Sequence, residues 1–340
     1  MKPMRSYRRS RGITLIEILI SLAIGFVVLA AVIVSFVGSG QAGRYQSALT
    51  QMNQDAQIAL NLLSREVQLA GYAAPSNIVL NGGTGNLDMK YNSLACGTGV
   101  LNSGTPGYIK PPAVDCTLVA DTNVSYIFGC DADSSANAAP FSPQAMPLAC
   151  DKGYGAVKNS SGFGVVYEAD ITNTVPALVA GVKTPTDCLG NAILPTPPSN
   201  FFIARNRYFI APGASGRPEL HCASNGSGQQ PLLENVEDMQ IWYGMAANAI
   251  TVTSSRQIVR YAKAGKDATT ANTINSVGAA EWDKVLSVRI CVLMRSAEPV
   301  LTGEDVVNDK DCNSNAVVTS DRYMRRAYYV TATLRSKMSF

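Results

Sequence analysis

The chain has 340 residues, a formal net charge of +3, 16% charged and 46% hydrophobic residues, and one histidine. That balance excludes a disordered polyelectrolyte and leaves length for a long helix plus one large or two small domains. Five of the basic side chains (Lys2, Arg5, Arg8, Arg9 and Arg11) precede residue 12; without them the formal charge falls to about −2, so the positive charge is poor evidence for nucleic-acid binding.

The first predicted element is an apolar helix. From Ile18 to Val37 there is no charged residue, about the length needed to cross a ~30 Å hydrocarbon core. All nearby basic residues lie before it until Arg44, which orients the N-terminus inside and the rest of the chain outside. The run is too long for a cleaved secretory signal, and no small-residue cleavage site follows it closely. Its one anomaly is Glu17. A carboxylate in a membrane span costs at least about 2.5 kcal/mol, so it needs a partner or must snorkel to the headgroups.

Gly12-Ile13-Thr14-Leu15-Ile16-Glu17, behind a basic leader and ahead of about twenty apolar residues, resembles the class III signal of type IV pilins and pseudopilins. The resemblance implies cleavage by a prepilin peptidase after Gly12 and methylation of the new N-terminal residue, Ile13, where most of the family have Phe. It also supplies a partner for Glu17, namely the Ile13 ammonium of a neighbouring subunit, since a paired buried charge is far less costly than an orphan one. Glu17 and Ile13 are thus the candidate docking pair, and Gly12 and Ile13 the candidate processing site.

After a glycine patch at 38–43, Leu49, Met52, Ala56, Ala59, Leu60, Leu63 and Val67 recur at helical spacing, ending near Gly71. A continuous helix from Ile13 would span roughly 90 Å, with bending or melting expected at the glycines. Residues 72–200 read as a loop-rich insertion with short strands, such as Val124–Phe128 and Phe163–Tyr167. Residues 201–340 read as a β-rich head with strands near Phe201–Ile210, Val236–Tyr243, Val285–Met294 and Ala327–Arg335. The expected organisation is therefore a leader (1–12), a membrane half of the helix (13–37), an amphipathic half (38–71), the insertion (72–200) and the head (201–340). The fold class is α+β: a long N-terminal helix packed on an antiparallel sheet, pilin-like, with a disulfide-stabilised insertion.

All eight cysteines follow the apolar run: Cys96, Cys116, Cys130, Cys150, Cys188, Cys222, Cys291 and Cys312. An even number in an exported domain points to disulfides, and the absence of C-x-x-C argues against zinc ribbons and thioredoxin chemistry. Pairing of sequence neighbours is expected, above all Cys291 with Cys312, which would close a polar loop after a strand.

The blocks Glu66–Tyr72, Asn235–Gly244, Val285–Ile290 and Arg325–Arg335 resemble PilW-type minor pilins. That resemblance implies a low-abundance subunit that primes pilus assembly and sits at or near the tip, in adhesion and twitching motility. Its implied partners are other minor pilins, the major pilin, a large tip adhesin, the prepilin peptidase and the inner-membrane assembly platform. The subunit would be held in the inner membrane by a single pass before reaching the pilus. Roughly 270 residues beyond the helix also favour an end position over a closely repeating shaft. A minor pseudopilin of type II secretion is the alternative, and a DNA- or surface-binding tip pilin a second.

No catalytic, cofactor or metal pattern is found. His221 in a Gly/Ser-rich stretch reads as a surface residue. Asp309-Lys310-Asp311-Cys312-Asn313 imitates the start of a calcium loop but has Ser314 and Ser320 where Gly and Glu belong. Arg322, Arg325, Arg326, Arg335 and Lys337 make the C-terminus basic; edge charge is the simpler reading, and nucleic acid is not an expected partner.

Overall fold

The computed structural model describes residues 12, 14–72, 78–80, 87–89, 126–131, 160–194, 202–224, 228–248, 255–265, 273–275, 279–282, 284–301, 310–317 and 321–338. Ile13, Cys96, Cys116 and Cys150 lie outside them. The chain divides into two units, Met1–Thr50 and Gln51–Phe340.

Helix α1 runs Leu15–Leu69. The glycine patch at 38–43 is helical throughout, so the melting expected there is not seen. The intrahelical hydrogen bonds outweigh a glycine penalty of about 1 kcal/mol per residue, and Ser39 Oγ adds a bond to the Phe36 carbonyl (3.0 Å). In the second unit the buried positions of α1 are Met52, Ala56, Ala59, Leu60, Leu63 and Val67, the apolar stripe that the spacing marks. The helix stops at Gly71, whose φ of +73° suits a residue without Cβ. Its N–H turns to the Val166 carbonyl (2.9 Å). A Cβ there would stand 2.7 Å from both Ser336 Oγ and the Tyr126 ring.

Two short hairpins are β1 (Ile78–Leu80) with β2 (Leu87–Met89), and β5 (Ala177–Val179) with β6 (Val182–Thr184). The latter turns on Ala180 and Gly181, both at positive φ. The remaining strands form two five-stranded sheets in place of the single expected sheet. The first has the order β3-β4-β7-β8-β9 and is antiparallel: Ile127–Asp131, Ser161–Glu168, Ile203–Pro212, Pro218–Ala223 and Gln229–Glu234. It crosses the boundary expected at residue 200, because β4 pairs with the head strand β7 and β3 pairs with β4. Every residue of β4 is buried, which short apolar pieces among glycines do not reveal.

The second sheet has the order β12-β11-β10-β13-β14: Thr273–Asn275, Ile258–Gly265, Val236–Ala246, Val285–Arg295 and Arg325–Thr333. It is antiparallel apart from the β11–β12 edge. Its inner face carries Met239, Ile241, Tyr243 and Met245 on β10 and Val288, Ile290, Val292 and Met294 on β13, all fully buried. Strict alternation puts Val236 on the opposite face from Met239. A register shift between Val236 and Asp238 changes this, and Val236 is also buried.

The largest core group is aromatic. Trp282, from the short helix α2 (Ala279–Trp282), lies edge-on to Tyr243 at 4.8 Å and to Phe128 at 6.4 Å. Gly129 leaves the space that the Tyr243 hydroxyl enters.

Candidate functional site

Glu17 sits in the first turn of α1, where Thr14 precedes the helix. The Thr14 N–H and Oγ–H both donate to Glu17 Oε2 (3.0 and 3.1 Å), and the Glu17 N–H reaches Thr14 Oγ1 (3.4 Å). This reciprocal arrangement is a capping box, a role for the acid that its place in an apolar run does not disclose. The carboxylate is exposed, as are Gly12 and the whole apolar stretch 14–37 apart from Ile13, which is outside the described residues. The helix is long and apolar enough to cross a membrane.

The amphipathic half of α1 is fastened to both sheets by polar bonds. Glu66 accepts from Asn206 Nδ2 (3.0 Å) and from the Tyr208 hydroxyl, both on β7. The same Asn206 amide donates to Tyr167 Oη on β4 (3.1 Å), and its oxygen accepts the Cys188 N–H (3.2 Å). Burial pushes the Glu66 carboxyl above its usual range, and pushes both phenols up as well. On the second sheet, Tyr328 Oη donates to Asn53 Oδ1 (2.6 Å), and beyond β14 Ser336 Oγ donates to the Ala70 carbonyl (2.8 Å).

Two loops are built to one plan. Thr186-Asp187-Cys188-Leu189-Gly190-Asn191-Ala192 and Lys310-Asp311-Cys312-Asn313-Ser314-Asn315-Ala316 share the pattern Asp-Cys-x-(Gly/Ser)-Asn-Ala. Each is closed by a bridge between its first and last residues. In each the aspartate accepts two backbone N–H groups: Leu189 and Asn191 on Asp187, Asn313 and Asn315 on Asp311 (2.7–2.9 Å). Gly190 and Ser314, at the same place, both have positive φ. Each loop is bonded to a strand, Cys188 to Cys222 on β8 and Cys312 to Cys291 on β13, with Cα atoms 6.5 and 5.7 Å apart. Cys130 is also disulfide-bonded. The Asp311 carboxylate, third in the apparent calcium loop, is therefore turned onto its own loop amides. Asp309 lies outside the described residues. The repeat is legible in the sequence as two matching seven-residue stretches.

His221 is in β8 and 5% exposed, not at the surface. It stacks on Phe209 (6.0 Å), with Glu219 3.6 Å from Nε2, and burial lowers its pKa. Among the described residues no group of three His, Cys, Asp or Glu could hold a metal ion. The basic C-terminus is largely committed. Arg325, 5% exposed, forks onto Glu237 and Asp321, and Lys337 Nζ donates to the Trp282 carbonyl (3.0 Å).

Comparison with known proteins adds two family matches. Residues 207–336, from β7 to the C-terminal turn, match the family described as type IV pilus-assembly protein W, PilW. Residues 7–33 match the prokaryotic N-terminal methylation motif. No curated protein matches the chain. Among solved structures, a type IV-like pilin from Thermus thermophilus aligns over 65% of this chain and 91% of its own at 7% identity, with a TM-score of 0.31, too low to identify a common fold. Residues 207–336 are thus a PilW-family region, and the N-terminus carries a prepilin-type methylation motif.

Proposed function

We propose that this protein is a minor pilin that primes type IV pilus assembly and remains at or near the pilus tip. In this reading prepilin peptidase cuts after Gly12, Ile13 is methylated, and residues 13–37 hold the subunit in the inner membrane with its head in the periplasm. Other minor pilins, the major pilin, a tip adhesin and the assembly platform are its partners, with adhesion and twitching motility the output. The observation that carries it is the joint presence of a methylation motif and a PilW match on one chain.

Glu17 is the proposed docking group. Its bonds to Thr14 keep the carboxylate at the helix start, one residue from the ammonium that cleavage would create. On docking, the acid would exchange solvent for the Ile13 ammonium of a neighbour and so set the subunit's register.

Glu17→Ala in the chromosomal gene tests this. The expected result is processed, stable subunit, at least a tenfold drop in its recovery from sheared pili, and fewer pili per cell by electron microscopy. Unchanged pilus number and incorporation would remove the docking role. Loss of protein secretion without loss of pili would move the subunit to a secretion pseudopilus.

A further inference from the structure

The outer face of the second sheet carries a row of alternating cations and rings, one from each of four strands. In order they are Lys263 on β11, Trp242 on β10, Arg289 on β13 and Tyr329 on β14. Lys263 Nζ lies 5.1 Å from the Trp242 ring centre. The Arg289 guanidinium carbon lies 5.8 Å from Trp242 and 5.0 Å from Tyr329. Direct pairing of Trp242 with Arg289 fixes the centre of the row. At one end the Cys291–Cys312 bond packs beneath Trp242 and Ala327. At the other, Gly244 leaves room for the Tyr261 ring, which would stand 3.1 Å from a Cβ there.

The two cations differ in how far their charge is answered. Lys263 donates to Gln240 Oε1 (2.6 Å) and Asn313 Oδ1 (3.0 Å), and its charge acts on the carboxyl of Asp238. Arg289 is exposed, and no carboxylate pairs with it among the described residues. Trp242 and Tyr329 hold the guanidinium through cation–π contact, which engages its charge and not its N–H donors, and those donors suit a planar acceptor. The same face exposes aromatic rings, Tyr261 at 43% and Tyr329 at 44%.

We propose that this face docks a partner polypeptide, different from this chain, that presents an aspartate or glutamate to Arg289. Trp, Tyr and Arg around one unanswered charge is the composition of an interface hot spot. A nucleic acid or polyphosphate would need a line of phosphate contacts, and only one cation of the row is unanswered. A symmetric pair of this chain would need a carboxylate on the same face. Among the described residues, Asp238 is engaged with the Gln240 side-chain amide and Asp311 with its loop amides. The inference does not depend on the pilus reading, since it rests on the face alone.

The test pans a phage-displayed library of random 15-residue peptides against the full chain in nonionic detergent. Selected peptides should carry Asp or Glu beside apolar residues. Their affinity should fall at least tenfold on R289Q, and as far when the peptide acid becomes its amide, while R289K retains part of it. A thermal melt of R289Q matching the parent separates lost contact from lost fold. Arg44→Gln, on the exposed helix, should leave affinity unchanged. Selected peptides without an acid, or equal binding to R289Q, overturn the proposal. So does Arg289-dependent binding of polyphosphate or oligo-dT matching that of the peptides, which would mark a general polyanion face. An Arg289-dependent dimer by light scattering would give the face to a second copy and also overturn it.

Discussion

Glu66 shows how much a residue's role depends on what the fold brings to it. In sequence it is one of several polar positions along an amphipathic helix. In the structure it lies against Asn206 and Tyr208, partly withdrawn from water, and burial raises its pKa. A carboxyl whose folded pKa is above the unfolded value stabilises most below the unfolded value of about 4.5, and that contribution is lost as pH rises through the folded value. At neutral pH the charged Glu66 therefore carries a desolvation cost that a neutral isostere avoids. Glu66→Gln is expected to raise the urea midpoint at pH 7.5, with the gain fading by pH 4. The buried His221 titrates with the opposite sign, losing stability as pH falls below about 6.5, but it is common to both proteins and drops out of the difference. A Gln variant less stable by the same margin at both pH values would show that hydrogen-bond geometry, not charge burial, governs the site.

At the scale of elements, the two Asp-Cys loops solve one problem twice. Each pins a polar turn to a buried strand, and each uses a carboxylate to satisfy amides that no strand reaches. The covalent bond and the Asx turn should contribute separately. Replacing Cys291 and Cys312 together by serine frees a 21-residue separation, a loss of about 3 kcal/mol in the chain-entropy account. Asp187→Ala and Asp311→Ala keep the disulfides and lose two backbone N–H acceptances apiece, with Asp311→Ala also losing the Asn315 side-chain amide (3.2 Å). Each should cost about 1 kcal/mol, and the two should agree closely because the loops are alike. Urea midpoints of the oxidised proteins check this. A much larger loss for one aspartate would show that its loop has a further role in the fold.

For the whole molecule, what the sequence disclosed follows from what each signal depends on. The helix stripe from Met52 to Val67 was legible because one face is buried and burial writes a period into the sequence, and the strands at 236–246 and 285–295 because large apolar residues alternate along them, Met239, Ile241, Tyr243 and Met245 on one and Val288, Ile290, Val292 and Met294 on the other. β4 was legible only in part, as the apolar piece Phe163–Tyr167, since both its faces are covered and Ser161, Gly162 and Gly164 interrupt its apolar run. The Asp238 bulge and the Lys263–Trp242–Arg289–Tyr329 row depend on pairing between distant strands, which spacing does not encode, whereas the Glu17 capping box stood in the spacing Thr14-x-x-Glu17. Asn206 depends on pairing most of all. Fully buried, it joins the helix at Glu66, β4 at Tyr167 and the first disulfide loop at Cys188. If that junction makes the helix and the first sheet one cooperative unit, Asn206→Leu should lower stability by about 3 kcal/mol, because it leaves a charged acceptor and a buried N–H without their partner. The helical signal in the far ultraviolet and the aromatic signal of the Tyr243–Trp282 cluster should still fall together on heating. A helical transition well below the aromatic one would mean that residues 51–69 come away while the sheets persist. The bonds from Asn53 to Tyr328 and from Ala70 to Ser336 oppose that separation, and they are the reason a single transition is expected even in the weakened protein.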